Sequence, residues 1–332
     1  MRAIAIVVGL GVILGVPSAR ADTPMNGWDA VRDQAAAERF ALHVRVRQII
    51  VNARPGPPDP TLLRARALLE QAHAEQSPDV RLRFDLGEIY AALDDNTRAK
   101  EILQPALDEA PDHPASAAAF IALANAYAKL DQSDEERRVY ERFLPKVTDE
   151  RSRSTAMLNL AEAYMHLGDL DDSIAGYRAT IDLAAQLPNI IELNYHTGAL
   201  AVWGLAVALD RANDVPSGAK EAKLALVLDR DMGIIRLNPS VFFSPERERN
   251  WYVALGFAEY AKDAEDARAA ATWWQRSEGC WREYVEDAAL HGGKDHWIDL
   301  ARARLERAHA QRVAAERRVK GRIVYPEYEC VR

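Results

Sequence analysis

The stretch LRFDLGEIYAALDDNTRAKEIL, residues 82–103, carries the pattern that decides the fold of this chain. Apolar residues recur every three or four positions on both sides of a polar turn at Leu93-Asp94-Asp95-Asn96, which predicts two amphipathic helices joined by that turn. Pro111 is predicted to end the second helix. Gly87 and Ala99 are small, and we expect them where the two antiparallel helices approach each other closely.

The same phrase returns twice further along the chain at a constant interval. The phrase consists of a leucine, a small residue, two variable residues and a tyrosine. Its tyrosines are Tyr90, Tyr127 and Tyr164, and each lies 37 residues after the one before. A fixed period of this length is typical of helical-repeat arrays, in which a repeat buries its apolar face only against its neighbours. Further repeats are predicted near 117–150, near 154–187 and, more weakly, near 199–231, with a half-repeat upstream that includes Ala65, Leu69 and Ala72.

The spacing resembles that of the tetratricopeptide repeat. The matching positions of the first repeat are Leu86, Gly87, Tyr90, Ala99, Leu103, Ala106 and Pro111. Arg83 stands where the family pattern has tryptophan, and Glu136 stands where the second repeat would have alanine. The resemblance implies an all-α fold, a right-handed superhelical solenoid of antiparallel helix pairs. Five of the seven tryptophans lie beyond residue 250, which favours a Trp-rich helical C-terminal cap over an aromatic ligand site.

The resemblance also implies a concave groove that binds peptides and is lined by the first helix of each repeat. The corresponding residues here are Arg81, Asp85, Glu88, Asn125, Lys129, Asn159, Glu162 and His166. Asn125 and Asn159 stand where some family members hold a bound peptide backbone. The basic positions that form a clamp for C-terminal carboxylates in the family are occupied by Phe84, Ile121, Leu200 and Gly204. We therefore expect a mixed polar and apolar groove for an extended or helical peptide.

The first 21 residues predict an export signal that is cleaved after Ala21. Arg2 is followed by an uncharged apolar run over 3–16 and by the small-x-small pattern Ala19-Arg20-Ala21. That run is shorter than the roughly 20 residues that cross a bilayer, although an uncleaved anchor is the alternative. The mature chain is predicted to be periplasmic or secreted, with no transmembrane segment.

Changes in composition divide the rest of the chain. We predict N-terminal helices and a proline-rich break over 22–79, the repeat array over 80–231, an irregular apolar loop over 232–246, a C-terminal helical repeat or cap over 247–320 and a tail over 321–332. The apolar loop has two interpretations. It packs against neighbouring helices, or it lies in the groove and occupies the peptide site.

The distribution of charge limits the classes of partner that this protein is expected to bind. The formal net charge is −8, yet residues 301–332 contain nine basic and four acidic residues. An acidic body with a basic tail argues against nucleic acid. The tail is interpreted as a solvated helical face, with contact to anionic lipid or an acidic protein as alternatives.

Cys280 and Cys330 are the two cysteines of the chain. Export favours a disulfide between them, which would contribute roughly 3–4 kcal/mol to stability. Two free thiols are the alternative.

Motifs for catalysis and metal binding are missing from the sequence. It contains no G-x-S-x-G, H-E-x-x-H or Cys-x-x-Cys pattern, and His291, Asp295, His296 and Cys280 match no common ligand spacing. We predict a non-catalytic protein–protein interaction scaffold of the cell envelope that needs no cofactor or metal and binds a protein or peptide segment. One alternative is an envelope enzyme or a metal or small-ligand binder with its site in the Trp-rich C-terminal third. Another is a self-associating structural assembly protein.

Overall fold

The computed structural model describes residues 33–52, 59–186, 193–238, 241–291, 295–325 and 330, and within these ranges all regular secondary structure is helical. The predicted signal and the prolines of the break at 55–58 lie outside the described residues. The chain divides into two compact units, one ending at Ser152 and the other beginning at Arg153. The predicted array over 80–231 includes residues of both units.

Fourteen α-helices lie in the described ranges. Unit 1 contains α1 (Gln34–Asn52), α2 (Pro60–Gln71), α3 (Val80–Ala92), α4 (Asn96–Glu109), α5 (Ser116–Lys129) and α6 (Ser133–Phe143). Unit 2 contains α7 (Glu150–Leu167, beginning just before the boundary), α8 (Leu170–Gln186), α9 (Leu193–Arg211), α10 (Val215–Leu228), α11 (Gly233–Leu237), α12 (Glu248–Lys262), α13 (Ala267–Leu290) and α14 (Ile298–Glu316). None of these helices combines the length and the hydropathy that a bilayer crossing requires.

Helices that follow one another in the chain pack together, as the repeat pattern predicts. In unit 1, α3 packs on α4 and α5 packs on α6, and α2 supplies the predicted half-repeat with Ala65 and Leu69 fully buried. Its upstream partner is α1. In unit 2, α9 packs on both α8 and α10, and α13 packs on both α12 and α14. The all-α, paired-helix fold predicted from the sequence is therefore confirmed.

Small residues let the paired helices approach, as expected for Gly87. A Cβ atom added at Gly87 would lie 2.4 Å from Leu103 Cγ, and Ala99 is fully buried in the same pair. In unit 2, a Cβ added at Gly176 would lie 2.9 Å from the Cβ of Ala161. A larger side chain at either glycine would force the helices apart.

The turns within the pairs repeat a backbone conformation at the same interval as the tyrosines. Asp94, Asp131 and Gly168 follow the ends of α3, α5 and α7 with φ of 64°, 56° and 87°. A left-handed residue commonly terminates a helix, because it reverses the chain while its neighbours satisfy the last carbonyl groups. The residue after it then starts the second helix: Asp95 accepts a hydrogen bond from the backbone N–H of Arg98 at 3.3 Å.

The repeated tyrosines of unit 1 are packing residues that also bridge neighbouring repeats. Tyr90 and Tyr127 are 2% and 7% exposed. The Tyr90 hydroxyl donates to Glu70 Oε1 of α2 at 2.7 Å, and the Tyr127 hydroxyl donates to Gln104 Oε1 of α4 at 3.0 Å. Each ring is thus buried in its own repeat while its hydroxyl bonds to the second helix of the preceding one.

The Trp-rich part of unit 2 forms core, as predicted. Trp251 is fully buried, and its ring meets those of Trp281 and Tyr284 edge-on with centroids 4.9 and 5.2 Å apart. Cys280 and Cys330 form the predicted disulfide, with Cα atoms 5.0 Å apart, which joins α13 to the end of the tail. Within the predicted irregular loop over 232–246 the chain forms a five-residue helix, α11.

A methyl group at Gly204 should destabilise unit 2. A Cβ there would lie 2.3 Å from two carbon atoms of the buried Tyr177 ring, so Gly204→Ala should lower the free energy of unfolding by about 2–3 kcal/mol. Gly279 of α13 has nothing within 4 Å of the added Cβ, and Gly279→Ala should leave stability unchanged or raise it by up to about 1 kcal/mol. Urea unfolding followed by circular dichroism measures both, and equal effects would contradict this account of the helix approach.

Candidate partner-binding surface

The predicted groove residues of the first repeat face helix α1. Asp85 and Glu88 of α3 are each 1% exposed. His43 Nδ1 lies 2.6 Å from Asp85 Oδ2, and Arg47 Nη1 donates to Glu88 Oε2 at 2.5 Å and to Asp85 Oδ1 at 3.4 Å. Burial raises the pKa of the Glu88 carboxyl, and the charge of Arg47 opposes that rise. In this repeat α1 thus occupies the positions where a bound peptide was expected.

Arg81 belongs to the same covered face. Its Nε and Nη2 atoms each donate at 2.9 Å to the carboxylate of Asp79, the residue that caps α3. The guanidinium carbon also lies 5.0 Å from the centre of the Phe40 ring on α1, a cation–π distance. All three predicted groove residues of α3 therefore contribute to packing within unit 1.

The predicted residues of the second repeat keep partial contact with solvent on α5. Asn125 is half-buried, and its Oδ1 accepts a hydrogen bond from the Tyr140 hydroxyl at 3.2 Å. The Lys129 side chain is 34% exposed, and its Nζ lies 2.7 Å from Asp94 Oδ1 in the turn of the preceding repeat. The NH₂ group of Asn125 lies on the same amide as the oxygen that Tyr140 engages, so this side chain has donor capacity besides that bond.

In unit 2, the three predicted residues of α7 lie at helical spacing on one face. Asn159, Glu162 and His166 are all of intermediate exposure. Protein atoms nevertheless surround the Glu162 carboxyl closely. Burial, reinforced by the negative charge of Glu248, raises its pKa to about 7, and Arg211 opposes the shift. His166 Nε2 lies 3.9 Å from Glu248 Oε2, which connects the face of α7 to the interior of unit 2.

Glu248 joins four helices of unit 2. Its Oε2 accepts from Arg211 Nη2 at 2.5 Å, and its Oε1 accepts from the Tyr284 hydroxyl at 3.0 Å. The Arg211 guanidinium lies between two indole rings, 4.4 Å from the centre of Trp251 and 5.0 Å from that of Trp297. A buried carboxylate is costly unless it is paired and hydrogen-bonded, and this geometry supplies both conditions.

A second buried ion pair lies beside the first. Arg304 Nε donates to Asp210 Oδ1 at 3.0 Å, and its Nη2 donates to the Asp210 carbonyl at 3.1 Å. Trp251 Nε1 donates to Asp210 Oδ2 at 3.1 Å. Asp210 and Arg211 are consecutive residues at the end of α9, so one helix end anchors both pairs. Neither ion pair was predicted from the sequence, where the available signal is a charged pair at the end of the long apolar run of α9.

The predicted apolar loop packs against α9 and α12. Asp229 accepts a hydrogen bond from Trp203 Nε1 of α9 at 3.1 Å and another from the backbone N–H of Ile234 at 2.8 Å. The Phe243 ring packs edge-on against Tyr252 of α12 at 5.1 Å. Met232, Ile235 and Phe243 are at most 9% exposed, whereas Leu237 remains 73% exposed. The loop therefore covers part of the first helix of each of two neighbouring pairs.

The residues considered for a metal or catalytic site have other contacts. Cys280 is bonded to Cys330, and Asp295 accepts from Arg247 Nε at 2.8 Å and has its Oδ1 3.1 Å from the Tyr284 hydroxyl oxygen. His291 lies beside Asp287 at the surface. In the described part of the chain, no three His, Cys, Asp or Glu side chains come together as a metal-binding group would require.

Comparison with known proteins supports the repeat assignment over part of the chain. The sequence profile of the tetratricopeptide repeat matches residues 62–124, which span α2 to α5. Among solved structures, the chain is similar to two crystal structures of nearly identical TPR-like repeats of a kinesin-light-chain-type protein from Podosopora anserina. Both are 18% identical with a TM-score of 0.46, and the match covers 59% of this chain and 96–97% of theirs. Comparison with curated proteins finds no match.

The Glu162 carboxyl should make unfolding depend on pH. Its pKa of about 7 in the folded protein lies above the unfolded value, so the folded state binds the extra proton. Stability from this group is present below about pH 4.5 and is lost as pH rises through about 7, by up to about 3 kcal/mol. Urea unfolding at pH 5, 6, 7 and 8 should show that Glu162→Gln removes this slope. The exposed Glu265→Gln should retain it, and an identical slope in the Glu162 variant would contradict the assignment.

Removing one member of the central ion pair should cost more than removing both. Arg211→Leu leaves the Glu248 carboxylate buried without its cation and should lower the free energy of unfolding by about 3–5 kcal/mol. Arg211→Leu/Glu248→Leu removes both charges and should cost less. The exposed pair Lys223–Asp263, with 58% and 55% of its side chains exposed, provides the control, and Lys223→Ala should cost under about 1 kcal/mol. A double variant less stable than Arg211→Leu would show that the pair itself is strongly stabilising.

Proposed function

We propose that this protein is an exported, non-catalytic scaffold that binds a segment of a partner protein on the first-helix faces of its repeats. Tetratricopeptide repeats in general mediate protein–protein interaction, and proteins built from them are generally non-catalytic. The match over residues 62–124 and the paired-helix architecture support this class of function. The predicted signal at residues 1–21 supports a location outside the cytoplasm, in the cell envelope.

The face of α7 is our candidate for the primary contact in unit 2. Asn159, Glu162 and His166 follow one another at positions that share a helix face, and all three retain solvent contact. This exposure is the observation that carries the proposal, because Asp85 and Glu88 at the equivalent positions of α3 are only 1% exposed where α1 contacts them. The exposed parts of an amide, a carboxylic acid and an imidazole side chain can exchange hydrogen bonds with the backbone of a peptide segment.

Unit 1 offers a smaller face of the same kind on α5. Asn125 and Lys129 lie one helical turn apart and are partly exposed. Their existing bonds to Tyr140 and Asp94 hold the side chains in place, so less conformational entropy is lost when a ligand binds. We infer that Asn125 contacts the backbone of a bound segment through its free donor capacity.

The apolar loop determines which first helices of unit 2 stay accessible. Because Asp229 bonds to Trp203 of α9 and Phe243 packs on Tyr252 of α12, the partner segment would meet the chain's own loop there. These contacts support the first interpretation of the loop, packing against neighbouring helices. The exposed Leu237 at the end of α11 is the part of the loop best placed to contact a ligand.

Site-specific photo-crosslinking in intact cells tests the proposal. A photoreactive benzoylphenylalanine replaces Asn159 in one variant and Asn125 in another. We expect each to give a discrete covalent adduct with a partner protein on a denaturing gel, because both positions face the bound segment. Gln186 of α8 and Gln311 of α14 are exposed on helices outside the predicted groove and serve as matched controls.

The pattern of adducts decides the outcome. Adducts at residues 125 and 159 that do not form at residues 186 and 311 support the first-helix faces as the binding surface. Adducts of equal yield at all four positions, or adducts at the two control positions alone, would show that partners bind elsewhere. Adducts whose mass is twice that of this chain would favour the self-assembling alternative.

A further inference from the structure

Four basic side chains are concentrated where α14 ends. Arg317, Arg318, Lys320 and Arg322 are all exposed, and residues 317–325 contain no acidic residue. We refer to these four as the basic surface. The nearest acidic residue before them in the chain, Glu316, is engaged by Arg312 and accepts a hydrogen bond from the Tyr325 hydroxyl at 2.5 Å. The basic surface is therefore not neutralised by its immediate neighbours in sequence.

The backbone that carries the basic surface is held in place. Arg268 of α13 donates from Nη1 to the Arg322 carbonyl at 3.2 Å and from Nη2 to the Lys320 carbonyl at 3.4 Å. Gly321 has φ of 92°, a left-handed conformation that suits glycine and reverses the chain between those two carbonyls. Further along, Cys330 is bonded to Cys280 of the same helix. The backbone at Lys320 and Arg322 is thus anchored to α13.

Within the described residues, none of the four forms an ion pair. Arginines elsewhere do: Arg138 pairs with Glu135 at 2.5 Å and Arg142 with Asp108 at 2.5 Å. The partial negative charge at the C-terminus of α14 favours cations close to the helix end. This effect explains at most Arg317 and Arg318. Lys320 and Arg322 lie beyond the helix end. Both side chains are exposed and therefore accessible to an anion outside the chain.

An apolar residue adjoins these charges. Val324 is 79% exposed, and Val319 and Ile323 are partly exposed in the same segment. Basic side chains with adjacent aliphatic ones are the combination that binds the interface of an anionic bilayer, where the charges meet phosphate groups and the aliphatic groups enter the headgroup region. The remainder of the chain is acidic. An anionic bilayer would therefore attract the basic surface and repel the rest of the protein.

We propose that the basic surface, together with Val324, docks the protein on an anionic phospholipid membrane. The docking is peripheral and reversible. The competing occupant of the basic surface is a second copy of this chain, because its body is acidic. Vesicle binding and sedimentation velocity distinguish the membrane from the second copy.

Vesicle co-sedimentation tests this proposal with the purified full chain. Vesicles of phosphatidylcholine with about one-third phosphatidylglycerol are compared with vesicles of phosphatidylcholine alone. We expect binding to the anionic vesicles only, falling steeply as salt rises from about 50 to about 300 mM, because the Debye length shrinks over that range. Arg317→Ser/Arg318→Ser/Lys320→Ser/Arg322→Ser should lower the partition coefficient more than about ten-fold. Val324→Ser should lower it several-fold.

A charge-matched control makes the result specific. Arg64→Ser/Arg153→Ser/Arg178→Ser/Lys220→Ser removes the same number of exposed positive charges from other surfaces and should stay within about two-fold of the wild type. All variants keep the same N-terminus, so any binding by residues 1–21 is equal in each. Failure of the wild type to bind anionic vesicles at low salt, or equal losses in both quadruple variants, overturns the proposal. Sedimentation velocity without vesicles provides a second test. A dimer that forms in the wild type and the control variant, but not in the basic-surface variant, would also overturn the proposal.

Discussion

Close approach between helices is the constraint on which the rest of this structure depends. At Gly87 in unit 1 and at Gly176 and Gly204 in unit 2, the neighbouring side chain occupies the space that a Cβ would need. A pair of helices has too little surface to bury its apolar face alone, so each pair must stack on the next. This stacking requires the first helix of a pair to pack closely against both the second helix of its own pair and the helix of the preceding pair. Positions without a side chain permit this, and the turns with left-handed residues set the pairs in register.

Unit 2 combines that packing with an unusually polar interior. Asp210, Arg211 and Glu248 are each at most 4% exposed, and Trp251 contacts both ion pairs. Buried charges tolerate little displacement, because a lost partner leaves a charge without hydration. We therefore interpret this network as fixing how the end of α9 packs against the start of α12 and against α14. It also contributes to the state of Glu162, because burial and, second to it, the negative charge of Glu248 raise the pKa of that carboxyl to about 7.

The groove residues show how far sequence reasoning extends into a site. Helical periodicity places Asn159, Glu162 and His166 on one face, because the direction of a side chain around its own helix is a local property. The same reasoning placed Asp85 and Glu88 on the equivalent face of α3, where α1 covers them. Their partners are 42 and 41 residues upstream. Only the matching spacing of His43 and Arg47 on α1, four residues apart, hinted at that contact.

The sequence by itself determined the helices, their turns, their pairing along the chain and the two cysteines that join. Those features follow from patterns within a few residues: apolar spacing, turn-forming residues and a repeat period. The tertiary structure alone decided which polar residues are buried, as with Arg304 and Asp210, which pair across 94 residues of chain. It also decided that α1 covers one first-helix face while those of α5 and α7 keep solvent contact. The physical reason is that burial depends on which helix lies opposite, and no local pattern contains that information.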